Sequence, residues 1–226
     1  VQRVASNWSG FELLEDNAVT QYRDRSSAGK FLAGRLESLR IDKPVVLGLP
    51  RGGVPVAAEV AAALNAPLDI VVVRKLGSPY NPELAMGAIG EGGVRVLNHD
   101  VIAAVRVSKS ELAAVERDER TELDRRARLL REGRTPVSLH GRTAVIVDDG
   151  MATGASAAVA CRCARTAGAD SVIVAVPVAS PEAMRVIACS ADRVVCPFVP
   201  ALLGGVGAAF EDFHQLSDDE VLTFLA

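Results

Sequence analysis

Two parts of this chain repeat one unit: a short apolar run without alternation, a tight glycine-containing loop, and a stretch with helical patterning. The run Pro44-Val-Val-Leu-Gly-Leu breaks at Pro50-Arg51-Gly52-Gly53 and leads into VPVAAEVAAALNA. Thr143 to Val147 ends in a second such loop, and a helix is predicted from Ala155 to Ala167. A strand that is apolar on both faces has to be covered on both faces, and helices returning between such strands supply the cover. The unit therefore predicts an α/β fold around a mostly parallel sheet.

The remaining segments fit around this unit. YRDRSSAGKFLAGRLESL, from Tyr22, places Ala28, Phe31, Leu32, Leu36 and Leu39 on one helical face with Arg and Glu opposite. Leu68 to Val73 reads as a second buried strand, and Ser171 to Pro177, a helix from Pro181 to Cys189 and a strand from Arg193 to Cys196 complete the series. Leu84 to Ile89 and Val94 to Asn98 flank Gly90-Glu91-Gly92-Gly93, which predicts a hairpin with at least one strand against the parallel direction.

Ser108 to Arg131 is a long charged helix. It opens on a capping box of Ser108 and Glu111, and Glu122/Arg126 and Asp124/Arg128 are spaced as i,i+4 pairs. Its inner stripe is Leu112, Val115, Leu123, Ala127 and Leu130. The tail carries Gly204-Gly205-Val206-Gly207, an Ala-Phe-Glu-Asp-Phe segment, and a short helix with Ser217 and Glu220 as its cap. Residues 1–20 have weak periodicity and read as an N-terminal extension to a single domain spanning 21–226.

Charge and composition exclude several functions. With 25 Lys+Arg against 28 Asp+Glu, the whole molecule offers no field for nucleic acid or an anionic membrane, so any anion site is local. Cys161, Cys163, Cys189 and Cys196 form no C-x-x-C pair and His99, His140 and His214 are scattered, so zinc spacing is absent. The cysteines are expected to be reduced, some of them in the core. VQRVASNWSGFELLEDNAV has no apolar signal region and no run approaches the ~18 residues of a membrane span, so a cytoplasmic protein is expected.

The chemistry concentrates in Asp148-Asp149-Gly150-Met151-Ala152-Thr153-Gly154-Ala155-Ser156, where a buried strand ends in two acids and a Gly/Thr/Ser loop opens a helix. Backbone N–H groups at a helix start bind phosphate, Gly154 allows close approach, and Thr153 and Ser156 add hydroxyl donors. Carboxylates at a strand's carboxyl end lie in the ligand crevice of an open α/β sheet and accept hydrogen bonds from vicinal sugar hydroxyls. Phosphate beside two acids suggests a sugar phosphate. The plainer alternative is that the acids begin a turn and cap the helix.

Pro50-Arg51-Gly52-Gly53 repeats the layout and reads as a second anion site or an ordinary turn. Two anion loops on one sheet edge fit a ligand phosphorylated at both ends. Arg74 and Lys75 would add cations to it, or form a solvated strand end. Other phosphate and nucleophile motifs fail: Gly48 to Gly53 is not G-x-G-x-x-G, no G-x-x-x-x-G-K-[ST] exists, and Ser156 lacks the closing glycine of a nucleophile elbow.

The segment Ala144 to Ser156 resembles the 5-phosphoribosyl-1-pyrophosphate (PRPP) motif of type I phosphoribosyltransferases, a hydrophobic strand followed by D-D-x-x-x-T-G-x-[ST]. LPRGGVPVA (49–57), RKLGSPYNPELAMGAIGEGG (74–93) and VIVDDGMATGAS resemble a bacterial group of that family, sometimes fused to hydrolase or esterase domains, over roughly residues 22–222. The resemblance implies a three-layer fold with a β-hairpin insertion, one long charged helix and a small C-terminal hood. It implies that Asp148 and Asp149 hold the ribose hydroxyls and are candidate ligands of Mg2+ through ribose or water. Gly150, Met151, Ala152, Thr153, Gly154, Ala155 and Ser156 would hold the 5-phosphate, and Arg51, Gly52, Gly53, Arg74 and Lys75 the pyrophosphate, with Lys75 also catalytic.

The implied reaction is transfer of 5-phosphoribosyl to a nitrogenous acceptor by a homodimeric, magnesium-dependent enzyme of nucleotide metabolism. Val178-Ala179-Ser180 departs from the lysine-bearing segment with which 6-oxopurine transferases recognise their base, and the region before Asp148 lacks the lysine-rich loop of orotate enzymes. Phe210, Asp212 and Phe213 are candidates either for a hood over the acceptor or for core packing. The alternatives in function are a domain that senses PRPP or a nucleotide without turnover, and an accessory partner of a separate hydrolase.

Overall fold

The protein was studied as a computed structural model, which describes residues 21–226; the predicted extension 1–20 lies outside the described residues. Helix α1 (Arg25–Glu37) is capped by Asp24, whose side chain accepts from the Ser27 amide, and it buries Ala28, Leu32 and Leu36. β1 (Pro44–Gly48), α2 (Gly53–Ala63) and β2 (Leu68–Ile70) follow. After three antiparallel strands and two helices come β6 (Thr143–Val147), α5 (Ala155–Thr166), β7 (Ser171–Ala175), α6 (Pro181–Ala188) and β8 (Arg193–Val195).

The sheet has the order β2-β1-β6-β7-β8, parallel throughout. Alternate residues of its strands enter two separate cores, as the period of two requires. Val45, Ile146, Val172 and Val174 pack with Ala160 and Cys161 of α5 and Ile187 of α6. Val46, Val145, Val147 and Ile173 pack with Leu32 and Leu36 of α1 and Val56 and Val60 of α2. From β1 the chain winds outward to β2, then returns to the other side of β1 at β6 and winds away through β7 and β8. The carboxyl ends of β1 and β6 are thus the switch point at which open α/β sheets bind ligands.

The predicted single strand Leu68 to Val73 divides between two sheets. β2 ends at Ile70, and β3 (Val73–Ser78) begins a separate antiparallel sheet of order β3-β4-β5 with β4 (Asn81–Gly90) and β5 (Arg95–Leu97). Glu91 marks the division: its carboxylate accepts from the Val72 amide at 2.9 Å and is also held by Arg131. The predicted hairpin is present as β4 and β5, joined through a 3-10 turn at Glu91–Gly93.

A short helix α3 (His99–Ala104), not expected from the sequence, precedes the long α4 (Lys109–Arg131), which has the predicted Ser108/Glu111 capping box. Two anticipated i,i+4 pairs are replaced: Glu122 binds Arg125, Arg126 turns to Asp218, and no Asp124/Arg128 pair forms among the described residues. The tail helix α7 (Asp218–Leu225) has the predicted box of Ser217 and Glu220. It packs Val221 and Leu225 against Leu123 and Leu130 of α4. All four cysteines are free, with only Cys189 exposed, and no described helix is long and apolar enough to cross a membrane.

Candidate functional site

The loops after β1 and β6 leave adjacent strands, with Gly48 opposite Val147 in register. They touch. A Cβ added to Gly52 would lie 2.0 Å from Asp149 Oδ2, and one added to Gly53 would lie 2.5 Å from the Val147 carbonyl oxygen and 2.7 Å from Asp148 Cα. Glycine is required at both positions because the second loop occupies the space a side chain would need. The structure thus brings Gly52 and Gly53 together with Asp148 and Asp149.

Among the described residues, the backbone amides of Arg51 and Gly52 have no hydrogen-bond acceptor, and neither do those of Gly150, Ala152, Thr153 and Gly154. These N–H groups stand at the starts of α2 and α5, where the helix dipole adds partial positive charge. Gly154 has φ of 74° and packs against Ala183, whose carbonyl oxygen would lie 2.9 Å from an added Cβ. The loop is also laced to the segment after β7. Met151 donates its amide to the Val178 carbonyl, Ser180 donates its amide to the Met151 carbonyl, and Ser180 Oγ donates to the Ala152 carbonyl at 2.6 Å.

The two acids have different surroundings. Burial, and then the charge of Asp149, push the Asp148 carboxyl well above the usual carboxylate range, although its Oδ1 accepts from the Asp149 amide at 2.9 Å. Asp149 is raised by burial too, but Arg25 acts against this: Arg25 Nε lies 2.9 Å from Asp149 Oδ2. Arg25 also donates to the His214 carbonyl at 2.9 Å and sits 4.0 Å from the centroid of the Phe213 ring.

Helical periodicity puts the arginines of α1 on its solvent side and so misses Arg25. The one available signal is its place directly after the Asp24 cap, where a side chain from the first turn reaches over the sheet end.

The remaining expected residues fall in several places. Arg51 is 3.8 Å from Asp218 of α7. Arg74, on β3, is bound at 2.7 Å to Glu119 of α4 and does not join the two loops. Lys75 is exposed and lines, with Thr153, Ala155 and Arg162, a cavity of about 680 Å³ between the antiparallel sheet and α5. Ser156 follows Thr153 and Gly154 at the opening of α5.

Phe210 lies in the core, as the packing alternative has it, whereas Phe213 stays 36% exposed. Phe210 is buried beside Tyr22, and Phe213 stacks on Phe210 at 5.1 Å while Arg25 covers its ring. Asp212 accepts from the His214 amide and ring instead. Among the described residues no group of three or more His, Cys, Asp or Glu side chains is placed to hold a metal ion by itself.

Comparison with known proteins adds a family. Residues 19–198 match the model of the phosphoribosyl transferase domain. Two Mycobacterium tuberculosis proteins, "Putative phosphoribosyl transferase MT0597" of strain CDC 1551 / Oshkosh and "Putative phosphoribosyl transferase Rv0571c" of strain H37Rv, are each 55% identical over 204 residues. That match covers 90% of this chain and 46% of either relative, so the chain spans about half the length of the curated relatives it matches. The crystal structure of TT1426 from Thermus thermophilus is similar at 45% identity and a TM-score of 0.78, covering 91% of this chain and 97% of that one.

Proposed function

Since the chain belongs to the phosphoribosyl transferase domain family, we propose that it binds PRPP at the β1/β6 switch point and transfers the 5-phosphoribosyl group to a nitrogenous acceptor, releasing pyrophosphate. One observation carries the reading: two amide-lined loops meet at the ends of neighbouring strands, with two carboxylates between them. Loop 150–156 suits the 5-phosphate, loop 50–53 the pyrophosphate, and the acids the vicinal hydroxyls of the ribose joining them.

In the reaction the bond from C1 to the pyrophosphate oxygen breaks through an oxocarbenium-like state, the leaving group keeps the electron pair, and an acceptor nitrogen closes on C1 with inversion. No protein nucleophile is required. The chain's contribution is positioning and charge. Asp148, which has no ion-pair partner among the described residues, would stabilise the positive charge developing on the sugar. Asp149, oriented by Arg25, would fix the ribose. Asp148 and Asp149 would hold magnesium through ribose hydroxyls or water; when bound, the ion would neutralise charge on the leaving pyrophosphate.

The test has two stages. Calorimetry with PRPP and magnesium should show saturable one-site binding, and its absence from the unmutated protein would overturn the proposal. Incubation with PRPP, magnesium and a panel of purine and pyrimidine bases should then release pyrophosphate with at least one of them. Tight binding with no release across the panel would assign the site to sensing instead.

A further inference from the structure

A second charged cluster adjoins the Pro50–Gly53 loop, and two of its three members, Arg126 and Asp218, have no role assigned above. Arg51 Nη1 lies 3.8 Å, and Arg126 Nη2 of α4 3.7 Å, from the same atom, Oδ1 of Asp218 at the start of α7. Neither distance is a hydrogen bond. Asp218 Oδ1 and Arg126 Nε are both buried with no hydrogen-bond partner among the described residues. Buried polar atoms without partners are costly, so this arrangement is a poor resting place for these groups.

A single carboxylate oxygen cannot satisfy two guanidinium forks, each of which presents several N–H donors in a plane. A pyrophosphate group can, because it has more acceptor oxygens, more charge and room for paired contacts to each arginine. The unengaged amides of Arg51 and Gly52 lie beside the same cluster. The other nearby cations are committed elsewhere: Arg74 to Glu119 and Arg125 to Glu122. Neutralising the dipole of α7 does not need Asp218 either, since Asp219 and Glu220 share its first turn.

We propose that Arg51 and Arg126 form a two-arginine receptor for the pyrophosphate end of the substrate or for released pyrophosphate, that Asp218 occupies it in the absence of ligand, and that ligand binding displaces Asp218. Arg126 is then a binding residue contributed by the long helix. Asp218 acts as an internal competitor, so that α7 registers whether the site is filled. The inference rests on reading loop 50–53 as the pyrophosphate cradle.

The two side chains have opposite predicted effects, which a merely structural role would not produce. Binding of magnesium pyrophosphate, PRPP and ribose 5-phosphate is measured by calorimetry for the unmutated chain and for Asp218→Asn, Arg126→Gln and Asp219→Asn, each checked for cooperative thermal unfolding. Asp218→Asn should tighten pyrophosphate and PRPP binding about threefold or more, and Arg126→Gln should weaken both about tenfold. Ribose 5-phosphate, which lacks the pyrophosphate, should bind all four proteins alike, and Asp219→Asn should match the unmutated chain.

Pyrophosphate binding that is unchanged or weaker in Asp218→Asn, or unchanged in Arg126→Gln, overturns the inference while leaving the functional proposal standing. Failure of all four proteins to bind either PRPP or pyrophosphate overturns both.

Discussion

Arg25, the first residue of α1, reaches over the sheet end to Asp149, 124 positions further along the chain, and its Nε meets Oδ2 at 2.9 Å. Both side chains are largely withdrawn from solvent, at 9% and 13% exposure. Removing one partner of such a pair leaves the other charge buried and unmatched, at a cost of about 3–5 kcal/mol. Arg25→Gln should therefore lower unfolding stability by about 3 kcal/mol and weaken PRPP binding. Arg25→Lys should recover part of the stability, since it restores charge but not the fork that also holds the His214 carbonyl. Urea unfolding of the three proteins decides this, and equal midpoints would refute it.

Asp148 and Asp149 should separate in stability and agree in binding. The raised Asp148 carboxyl holds its proton more tightly folded than unfolded, so its contribution to stability falls as pH rises from the ordinary value of 3.8 through the raised one. Asp148→Asn removes that loss, and at neutral pH it should be as stable as the unmutated chain or more so. Asp149→Asn strands Arg25 and should be less stable. Both should weaken PRPP binding by tenfold or more, roughly the loss of a charged hydrogen bond, against about fivefold for Thr153→Ala. A Thr153→Ala loss exceeding both would contradict this ranking.

Two glycine substitutions should have opposite effects. Gly52→Ala would place its Cβ 2.0 Å from Asp149 Oδ2 and push the two loops apart, so PRPP affinity and melting temperature should both fall. Gly34 lies inside α1 with nothing within 4 Å of an added Cβ. Gly34→Ala should stabilise the protein by roughly 0.5–1 kcal/mol without changing binding. Unchanged affinity in Gly52→Ala would show that the loops do not depend on each other.

His214 should act as a pH-dependent clasp for the tail. Its two ring nitrogens lie 3.1 Å from Asp212 and from Glu220, and these carboxylates raise its pKa above 6.5. A raised histidine stabilises fully below its unfolded value, and the contribution is lost as pH rises through the folded one. The attachment of α7 should accordingly weaken on going from below pH 6.5 to above the raised value. An NMR titration should place His214 above 6.5, and Glu220→Gln should bring it down; a value at or below 6.5 in the unmutated chain would disprove the clasp.

The parallel strands and the two loops are legible because a strand buried on both faces leaves an unbroken apolar run, and glycines and acids then mark its end. The division of Leu68 to Val73 is not, since nothing inside that run signals a change of sheet; the signal is Glu91, which is distant in sequence and binds the Val72 amide. The β3/β4 turn is readable in Ser78-Pro79-Tyr80-Asn81 but is overshadowed by the glycines of the next turn. The partners of Arg25, Arg74 and Arg126 are tertiary, and local spacing gives Arg126 the wrong one.

The C-terminal segment touches the site at three points, through Phe213 and the His214 carbonyl on Arg25 and through Asp218 on Arg51, while the chain leading to it passes through a turn in which Leu202 is 89% exposed. A protease that nicks this turn would convert one chain into two fragments whose docking becomes a concentration-dependent equilibrium. The larger fragment would keep its five-stranded sheet but lose the Phe213 ring and the His214 carbonyl that flank Arg25. Adding back the tail as a peptide should then restore the lost stability in a dose-dependent way, making the exposed turn a natural point at which to split the protein into a reporter pair.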